Sequence, residues 1–380
     1  MNRKIIISGG GTGGHLFPAL AIADEIKSRF PDADILFIGA ENRMEMQRVP
    51  AAGYRVTGLP VSGFNRRNPL KNIRVLARLV KSLRMTKKII RDFMPDIVIG
   101  VGGYASGPAL WMASSLHIPV LIQEQNSYAG ITNKLLGKRA SKICVAYRGM
   151  EAYFPENRIV MTGNPIRKEL ELLSEKLDSR HKAHETLHEN DGEALRYFGL
   201  ETGKPVILVL GGSLGARTVN QSIQKGLTSL LDAGIQVIWQ TGKINYELGI
   251  RNYEFGNGVW IADFITRMDY AYAVADLVVS RAGAGTLSEL CLLKKAAILI
   301  PSPNVAEDHQ TKNARALSDH NAAVLIPDNE AEQQLAPAAI ELLKDKERLH
   351  VLGEHIGGFA QHDSVQRIVD EAVKLIEKQR

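Results

Sequence analysis

The feature that most constrains this chain is a repeated junction, in which a short apolar run ends in a cluster of glycines and gives way to a segment with helical apolar spacing. It occurs at residues 4–8, followed by GGGTGGH at 9–15 and a helix expected from about Pro18. It recurs at 96–101, followed by GVGGYASGP at 100–108 and a helix after Gly107. Residues 34–38 and 119–122 are further runs of the same kind. Apolar runs without polar alternation suit strands buried on both faces, and strands alternating with helices build a parallel sheet covered on both sides. The pattern restarts at 205–210, 237–240, 259–262, 276–280 and 296–300. The fold class expected is therefore α/β, with two doubly wound Rossmann-like domains whose ligands lie beyond the carboxyl ends of the strands, in a cleft between the domains.

A chain of 380 residues exceeds what one core usually holds, which agrees with two domains. The seam is expected at GNPIR, 163–167, giving domains at 1–163 and 164–362. A terminal helix over 363–380, behind a DSVQ capping signal, is expected to pack back on the first. Residues 169–196 are rich in charge and read as a solvated helix or excursion. The uncharged stretch 97–123 is interrupted by glycines, two prolines and His117, so it reads as strand, loop, helix and strand rather than a membrane span. The N-terminal isoleucine run is too short for a signal-peptide apolar region. Two distant cysteines, Cys144 and Cys291, offer neither a disulfide framework nor a thiolate metal site, which fits a reducing, cytoplasmic setting.

Charge is unevenly placed. Residues 1–165 hold 23 Lys and Arg against 11 Asp and Glu, a net of +12, while the remainder carries −6. A lobe this basic expects an anionic partner. Aromatic residues make up only 6% of the chain, which disfavours a base-stacking nucleic-acid surface.

The glycine loops carry the chemical signal. GGGTGGH satisfies G-x-G-x-x-G at Gly9, Gly11 and Gly14, where backbone amides and a helix N-terminus can approach a phosphate. The same residues fit a plain tight turn, or a dinucleotide site with Glu41 on a ribose. A second amide-rich loop follows what reads as the third strand, with Gly102, Gly103 and Tyr104, and a third, GGSLGA at 211–216, opens the second lobe. Loops of this kind on both lobes suit a donor and an acceptor that each carry a diphosphate. The strongest local pattern is ADLVVSRAGAGTLSE, 275–289, in which a strand ends at Ser280 and Thr286 with Glu289 reads as a capping box that opens a helix. Its amides can neutralise a diphosphate, and a carboxylate one turn in can accept from two ribose hydroxyls.

Taken in order, GGGTGGH, GGYASGP, EQNSYAGITNK, GNPIR, GGSLGA, RAGAGTLSE and EDHQTKNA resemble the MurG family of N-acetylglucosaminyltransferases over nearly the whole chain. The resemblance implies the GT-B fold and an inverting transfer from UDP-N-acetylglucosamine to undecaprenyl-diphosphate-muramyl-pentapeptide, lipid I, giving lipid II. It implies no tightly bound cofactor and no metal, and a peripheral place on the cytoplasmic face of the bacterial plasma membrane. The first domain would then take the acceptor and the membrane, and the second the UDP-sugar. Carried over by motif, Ser213 would meet phosphate, Arg167 the nucleotide and the Ile265 backbone uracil. Ala284, Gly285, Thr286, Leu287, Ser288 and Glu289 would hold diphosphate and ribose, and Gln310 the sugar hydroxyls. Thr12, Gly13, Gly14 and Asn126 would line the sugar and acceptor side, with Gly102, Gly103 and Tyr104 at the acceptor diphosphate. Gln123 stands where some relatives are expected to carry His, so it is assigned no role. For the base, His15 lies at a helix start, where the dipole disfavours imidazolium, and Glu124 is the reserve. A loop or phosphate hydrogen bond would explain His15 equally well.

Residues 66–91 contain ten Lys and Arg and no acid, with Ile73, Leu76, Val80 and Leu83 on one helical face. Such a helix can lie on an anionic leaflet, and the membrane-borne acceptor favours that over simple docking on the sheet; nucleic acid is the next partner for this patch and is not adopted. HETLH at 184–188 matches a zinc-protease pattern but lies in the charged excursion, and Asp32 with Asp34 reads as a turn. A UDP-sugar 2-epimerase, an NAD-dependent dehydrogenase and a membrane adaptor without catalysis are the competing classes.

Overall fold

The computed structural model describes residues 3–63, 72–182, 191–211, 215–242, 258–305 and 308–379. The chain forms two compact units, one of residues 1–167 with 362–380 and one of residues 168–361.

The first unit is built on seven parallel strands: β1 (Lys4–Ser8), β2 (Asp34–Ala40), β3 (Arg55–Leu59), β4 (Ile97–Gly100), β5 (Val120–Glu124), β6 (Lys142–Val145) and β7 (Ile159–Met161). Their order across the sheet is β3-β2-β1-β4-β5-β6-β7. Between them run α1 (Gly13–Arg29), α2 (Glu45–Ala51), α3 (Asn72–Phe93), α4 (Ser106–Ser115) and α5 (Ile131–Gly137). The alternation of side chains explains the unbroken isoleucines of β1. Ile5 and Ile7 enter a core with α1 and the C-terminal helix Ser364–Gln379, while Ile6 enters a second core with α4 on the other face. In that C-terminal helix Val365, Ile368, Val369 and Ile376 are all buried, each worth about 1.5–3 kcal/mol of transfer free energy. Arg29 of α1 pairs with Asp370 at 2.5 Å, and Asp363 occupies the position just before the helix.

The second unit has six strands, β8 (Val206–Leu210), β9 (Gln236–Gln240), β10 (Val259–Ala262), β11 (Leu277–Ser280), β12 (Ala297–Leu299) and β13 (Val324–Leu325), in the order β10-β9-β8-β11-β12-β13. Each sheet thus reverses direction of growth once, between β1 and β4 and between β8 and β11. The loops leaving those four strands are GGGTGGH, GVGGYASGP, GGSLGA and RAGAGT, so every glycine loop singled out in the sequence sits at a topological switch point. Gly212, Ser213 and Leu214 of the GGSLGA loop lie outside the described residues, as do 66–71 and HETLH.

Three local expectations change. The helix after GGGTGGH begins at Gly13, five residues before Pro18, so the proline stands in the second turn, where it withholds the amide that would otherwise bond the Gly14 carbonyl. The GGYASGP loop follows the fourth strand, not the third, because Arg55–Leu59 is a strand too; it is an edge strand, and its half-buried RVTGL lacks the apolar run of a central one. The helix after β11 begins at Ala284 with Gly283 at its N-cap and no side-chain cap, so Thr286 and Glu289 are not a capping box. The glycine turn is tight enough to start the helix three residues earlier, with Gly283 rather than Thr286 at the N-cap, which leaves its first amides without a side-chain acceptor. No helix among the described residues is long and apolar enough to cross a membrane.

Candidate active site

The glycines of the loops fall into two groups when a Cβ is imagined on each. At Gly9 it would lie 2.2 Å from the Val101 side chain, at Gly10 2.3 Å from the Glu45 carboxylate, at Gly102 2.8 Å from the His15 ring, and at Gly103 2.4 Å from the Gly10 carbonyl. These glycines let the loops after β1 and β4 interleave. Gly11, Gly283 and Gly285, by contrast, have nothing within 4 Å. Gly11 is held at φ +89°, which itself calls for glycine, whereas at Gly283 and Gly285 neither packing nor a positive φ requires it, so the open side there is available to a ligand.

On the first unit the interleaved loops hold a set of polar groups. Glu45, from α2 and 1% exposed, accepts from Gly11 N at 3.0 and 3.1 Å and from Ala40 N at 2.8 Å. It fixes the shape of GGGTGGH by occupying one of the amides that the sequence offers to a phosphate. No sequence signal distinguished it from other acids near a helix start; only the return of α2 beside β1 brings it there. Thr12 stands at the N-cap of α1 with extended backbone and no side-chain cap bond, so the amides of Gly13 and Gly14 have no side-chain acceptor. His15, half-buried in that first turn, places Nδ1 3.1 Å from Gln125 Oε1.

Glu124 closes β5 and is 1% exposed. Its Oε1 accepts from Asn126 N at 3.1 Å and Asn126 Nδ2 at 3.3 Å, and its Oε2 from Gly130 N at 3.0 Å and Asn133 Nδ2 at 2.8 Å. The carboxylate ties the 124–133 segment together, and Asn126 belongs to that clamp. Gln123 donates to Asn164 Oδ1 at 3.2 Å. Tyr104 is exposed beside Gly63, and the Arg167 guanidinium stands 5.3 Å from the centre of the Phe17 ring.

On the second unit the helix Ala284–Leu292 directs its uncapped amides of Ala284, Gly285 and Thr286 outward from the end of β11, and Leu287 packs into the core beneath. Ser288 Oγ donates back to the Ala284 carbonyl at 3.0 Å. Glu289 accepts at 2.9 Å from the hydroxyl of the fully buried Tyr272, which aims the carboxylate; Tyr272 is a further functional candidate that the sequence did not reveal. The Ile265 amide donates to Gln240 Oε1 at 3.0 Å, so the backbone group left for a base is its carbonyl. Gln310 Oε1 accepts from Ser302 N at 2.8 Å, which leaves its NH2 as the group it can offer to a ligand. Arg281 is pinned by the Ile300 and Pro301 carbonyls at 3.0 and 3.1 Å and by Asp328.

The described residues hold no cluster of three or more His, Cys, Asp or Glu arranged to bind a metal. Asp34 begins β2 and pairs with Arg55.

Residues 5–145 match the glycosyltransferase family 28 N-terminal domain, and residues 206–368 match its C-terminal domain. The chain is 59% identical over 99% of both sequences to the UDP-N-acetylglucosamine--N-acetylmuramyl-(pentapeptide) pyrophosphoryl-undecaprenol N-acetylglucosamine transferase of Parabacteroides distasonis. It is 54% identical to the enzyme of that name from Phocaeicola vulgatus, over 100% of this chain and 98% of the relative. The chain belongs to the MurG family. The crystal structure of Acinetobacter baumannii MurG aligns over 100% of both chains with a TM-score of 0.70 at 25% identity, and the two Rossmann-like units are those of the GT-B fold. A UDP-GlcNAc 2-epimerase from Neisseria meningitidis shares that fold, with a TM-score of 0.65 at 12% identity over 98% of this chain and 100% of the epimerase.

Proposed function

We propose that this MurG-family chain is a UDP-N-acetylglucosamine-dependent glycosyltransferase that forms lipid II, moving N-acetylglucosamine onto the C4 hydroxyl of the muramyl sugar of lipid I with inversion. The observation that carries the chemistry is the pair of uncapped helix starts, each with open space beside a glycine: α1, bearing His15, and the helix Ala284–Leu292, with Glu289 one turn in. The acceptor's C4 oxygen attacks C1 of the donor sugar, its proton passes to His15, and the bond from C1 to the diphosphate oxygen breaks. The leaving UDP takes the negative charge, which the amides of Ala284, Gly285 and Thr286 stabilise. Glu289 accepts from the ribose hydroxyls, Gln310 donates to the sugar, and Ile265 presents its carbonyl to uracil. Arg167 and Ser213 serve the nucleotide and phosphate; Thr12, Gly13, Gly14, Asn126, Gly102, Gly103 and Tyr104 serve the acceptor.

His15 is preferred to Glu124 as base because the two oxygens of Glu124 already accept four hydrogen bonds. Incubation with UDP-N-acetylglucosamine and a lipid-linked muramyl acceptor should give acceptor-dependent UDP release and the disaccharide. UDP release without acceptor, or interconversion of free UDP-sugars, would sink the reading in favour of hydrolysis or epimerisation. His15→Ala at wild-type turnover would remove it as base.

The acceptor is membrane-borne, and we assign its approach to α3, α4 and α5 of the first unit, on the cytoplasmic face of the membrane. Ile73 and Leu76 of α3 are 69% and 57% exposed, and Ile131 and Leu135 of α5 are 64% and 72% exposed. Trp111 of α4 is exposed beneath the Arg139 guanidinium. Of the apolar α3 face read from the sequence, Val80 is also exposed and Leu83 half-buried. Exposed apolar side chains among Arg74, Arg78, Lys81, Lys134 and Lys138 suit an anionic interface. Replacing Ile73 and Leu76 with Asp should abolish sedimentation with vesicles containing anionic lipid while leaving UDP affinity unchanged; retained sedimentation refutes the assignment.

A further inference from the structure

Strands β1, β4 and β5 lie side by side, and a chain of side-chain amides, Gln123 in β5, Gln125 just beyond it and Asn164 after β7, leads to His15 beyond β1. Its direction is set by two backbone carbonyls, which can only accept. Gln125, 2% exposed, donates from Nε2 to the Val101 carbonyl at 2.7 Å, so its Oε1 must be the atom that faces His15 Nδ1 at 3.1 Å. From the other end, Asn164 Nδ2 donates to the Gln125 carbonyl at 3.1 Å, so Asn164 Oδ1 accepts from Gln123 Nε2 at 3.2 Å. Gln123 Oε1 is then the acceptor for Gln125 Nε2. Both ends demand the same orientation of Gln125, and an acceptor opposite Nδ1 demands a proton on Nδ1. The Gly102 backbone lies beside the ring, where a Cβ would be 2.9 Å from Nδ1.

We propose that Gln125 is a positioning residue that holds neutral His15 in its Nδ1–H tautomer, leaving Nε2 as the nitrogen that takes the acceptor's proton, with Gln123 and Asn164 fixing the direction of Gln125. This rests on His15 being the base. Among the described residues Nε2 meets no protein partner, so the lone pair it carries is uncommitted. Gln123, which the sequence left without a role, acquires one.

The test is nitrogen-15 NMR of histidine-labelled protein at a pH where the ring is neutral, with the His15 signals assigned by their loss in His15→Gln. Nδ1 of the wild type should be protonated and Nε2 bare. In Gln125→Met, which keeps length and apolar volume but no acceptor, the ring should revert to the Nε2–H form that free histidine favours. Turnover should fall roughly 10- to 100-fold with the donor KM within about twofold, since only the transition state uses the base. Gln125→Glu retains an oxygen for Nδ1–H but loses the Nε2 bond to the Val101 carbonyl, so it should restore the Nδ1–H signals even though the denaturant midpoint falls, which separates the tautomer from the stability of the fold. An Nε2–H wild type, or unchanged nitrogen signals in Gln125→Met, overturns the tautomer assignment whatever the rate does. If the signals change as expected while Gln125→Met and His15→Ala both keep wild-type turnover, the base reading falls and the tautomer assignment stands.

Discussion

Replacing Gly285 with Ala should make the free protein more stable and the enzyme worse. Gly285 is the second residue of the helix Ala284–Leu292, and a Cβ there meets no atom within 4 Å. Glycine within a helix costs about 0.5–1 kcal/mol relative to alanine, less near an end, so a gain of roughly 0.5 kcal/mol is expected. For a unit of this size that is about 1–2 °C in Tm, measurable by calorimetry without ligand. The same methyl would stand over the amides assigned to the donor diphosphate. Losing one charge-assisted hydrogen bond costs about 1.5–3 kcal/mol, or roughly 10- to 100-fold in affinity for UDP by titration calorimetry. A variant that is stabilised but binds UDP as the wild type does would refute the placement of the diphosphate at this turn. One that is destabilised would refute the claim that the space above Gly285 is free of protein.

Other perturbations have different expected signs. Gly102→Ala forces a side chain onto a backbone at φ +98° and into the His15 ring, so kcat should fall roughly 100-fold while UDP affinity is retained; unchanged kcat would show that the ring can move freely. Tyr272→Phe removes the hydroxyl that aims Glu289, and the donor KM should rise roughly 3- to 10-fold, with a larger penalty for UDP than for a 2′,3′-dideoxyribose analogue; equal penalties would deny the link to ribose. Glu124→Gln places an NH2 among four donors and should destabilise by about 2–4 kcal/mol, seen as a lowered denaturant midpoint; an unchanged midpoint would contradict the clamp. Burial pushes the Cys144 and Cys291 thiols from 9.0 up to about 12, so a thiolate-selective reagent at pH 9 should label neither in the folded protein and both after unfolding. The sign for stability follows: the unfolded thiols ionise first, so their contribution is complete below pH 9 and declines as the pH rises toward 12. Labelling of either thiol in folded protein would show that its burial is not maintained.

The strand-and-glycine pattern of the sequence determined the architecture because apolar runs buried on both faces leave little choice but a covered parallel sheet. The glycine motifs likewise marked the switch points, since a sharp turn between strand and helix needs residues without Cβ. Elements whose burial is one-sided fall outside that logic: edge strand Arg55–Leu59 and the two-residue β13 carry no run, and a Thr and a Glu at capping spacing point to a helix start beyond the actual one at Ala284. What only the tertiary structure decided is which glycines serve the protein and which face open space. Gly102 and Gly285 are indistinguishable in sequence, yet one makes room for an imidazole and the other meets nothing. The same holds for partners far apart along the chain. Glu45 on Gly11, Tyr272 on Glu289 and Gln125 on His15 are separated by 34, 17 and 110 residues. Such pairs depend on strand order, which a residue's own neighbours do not encode, and they set the directions in which the side chains of the site can donate and accept.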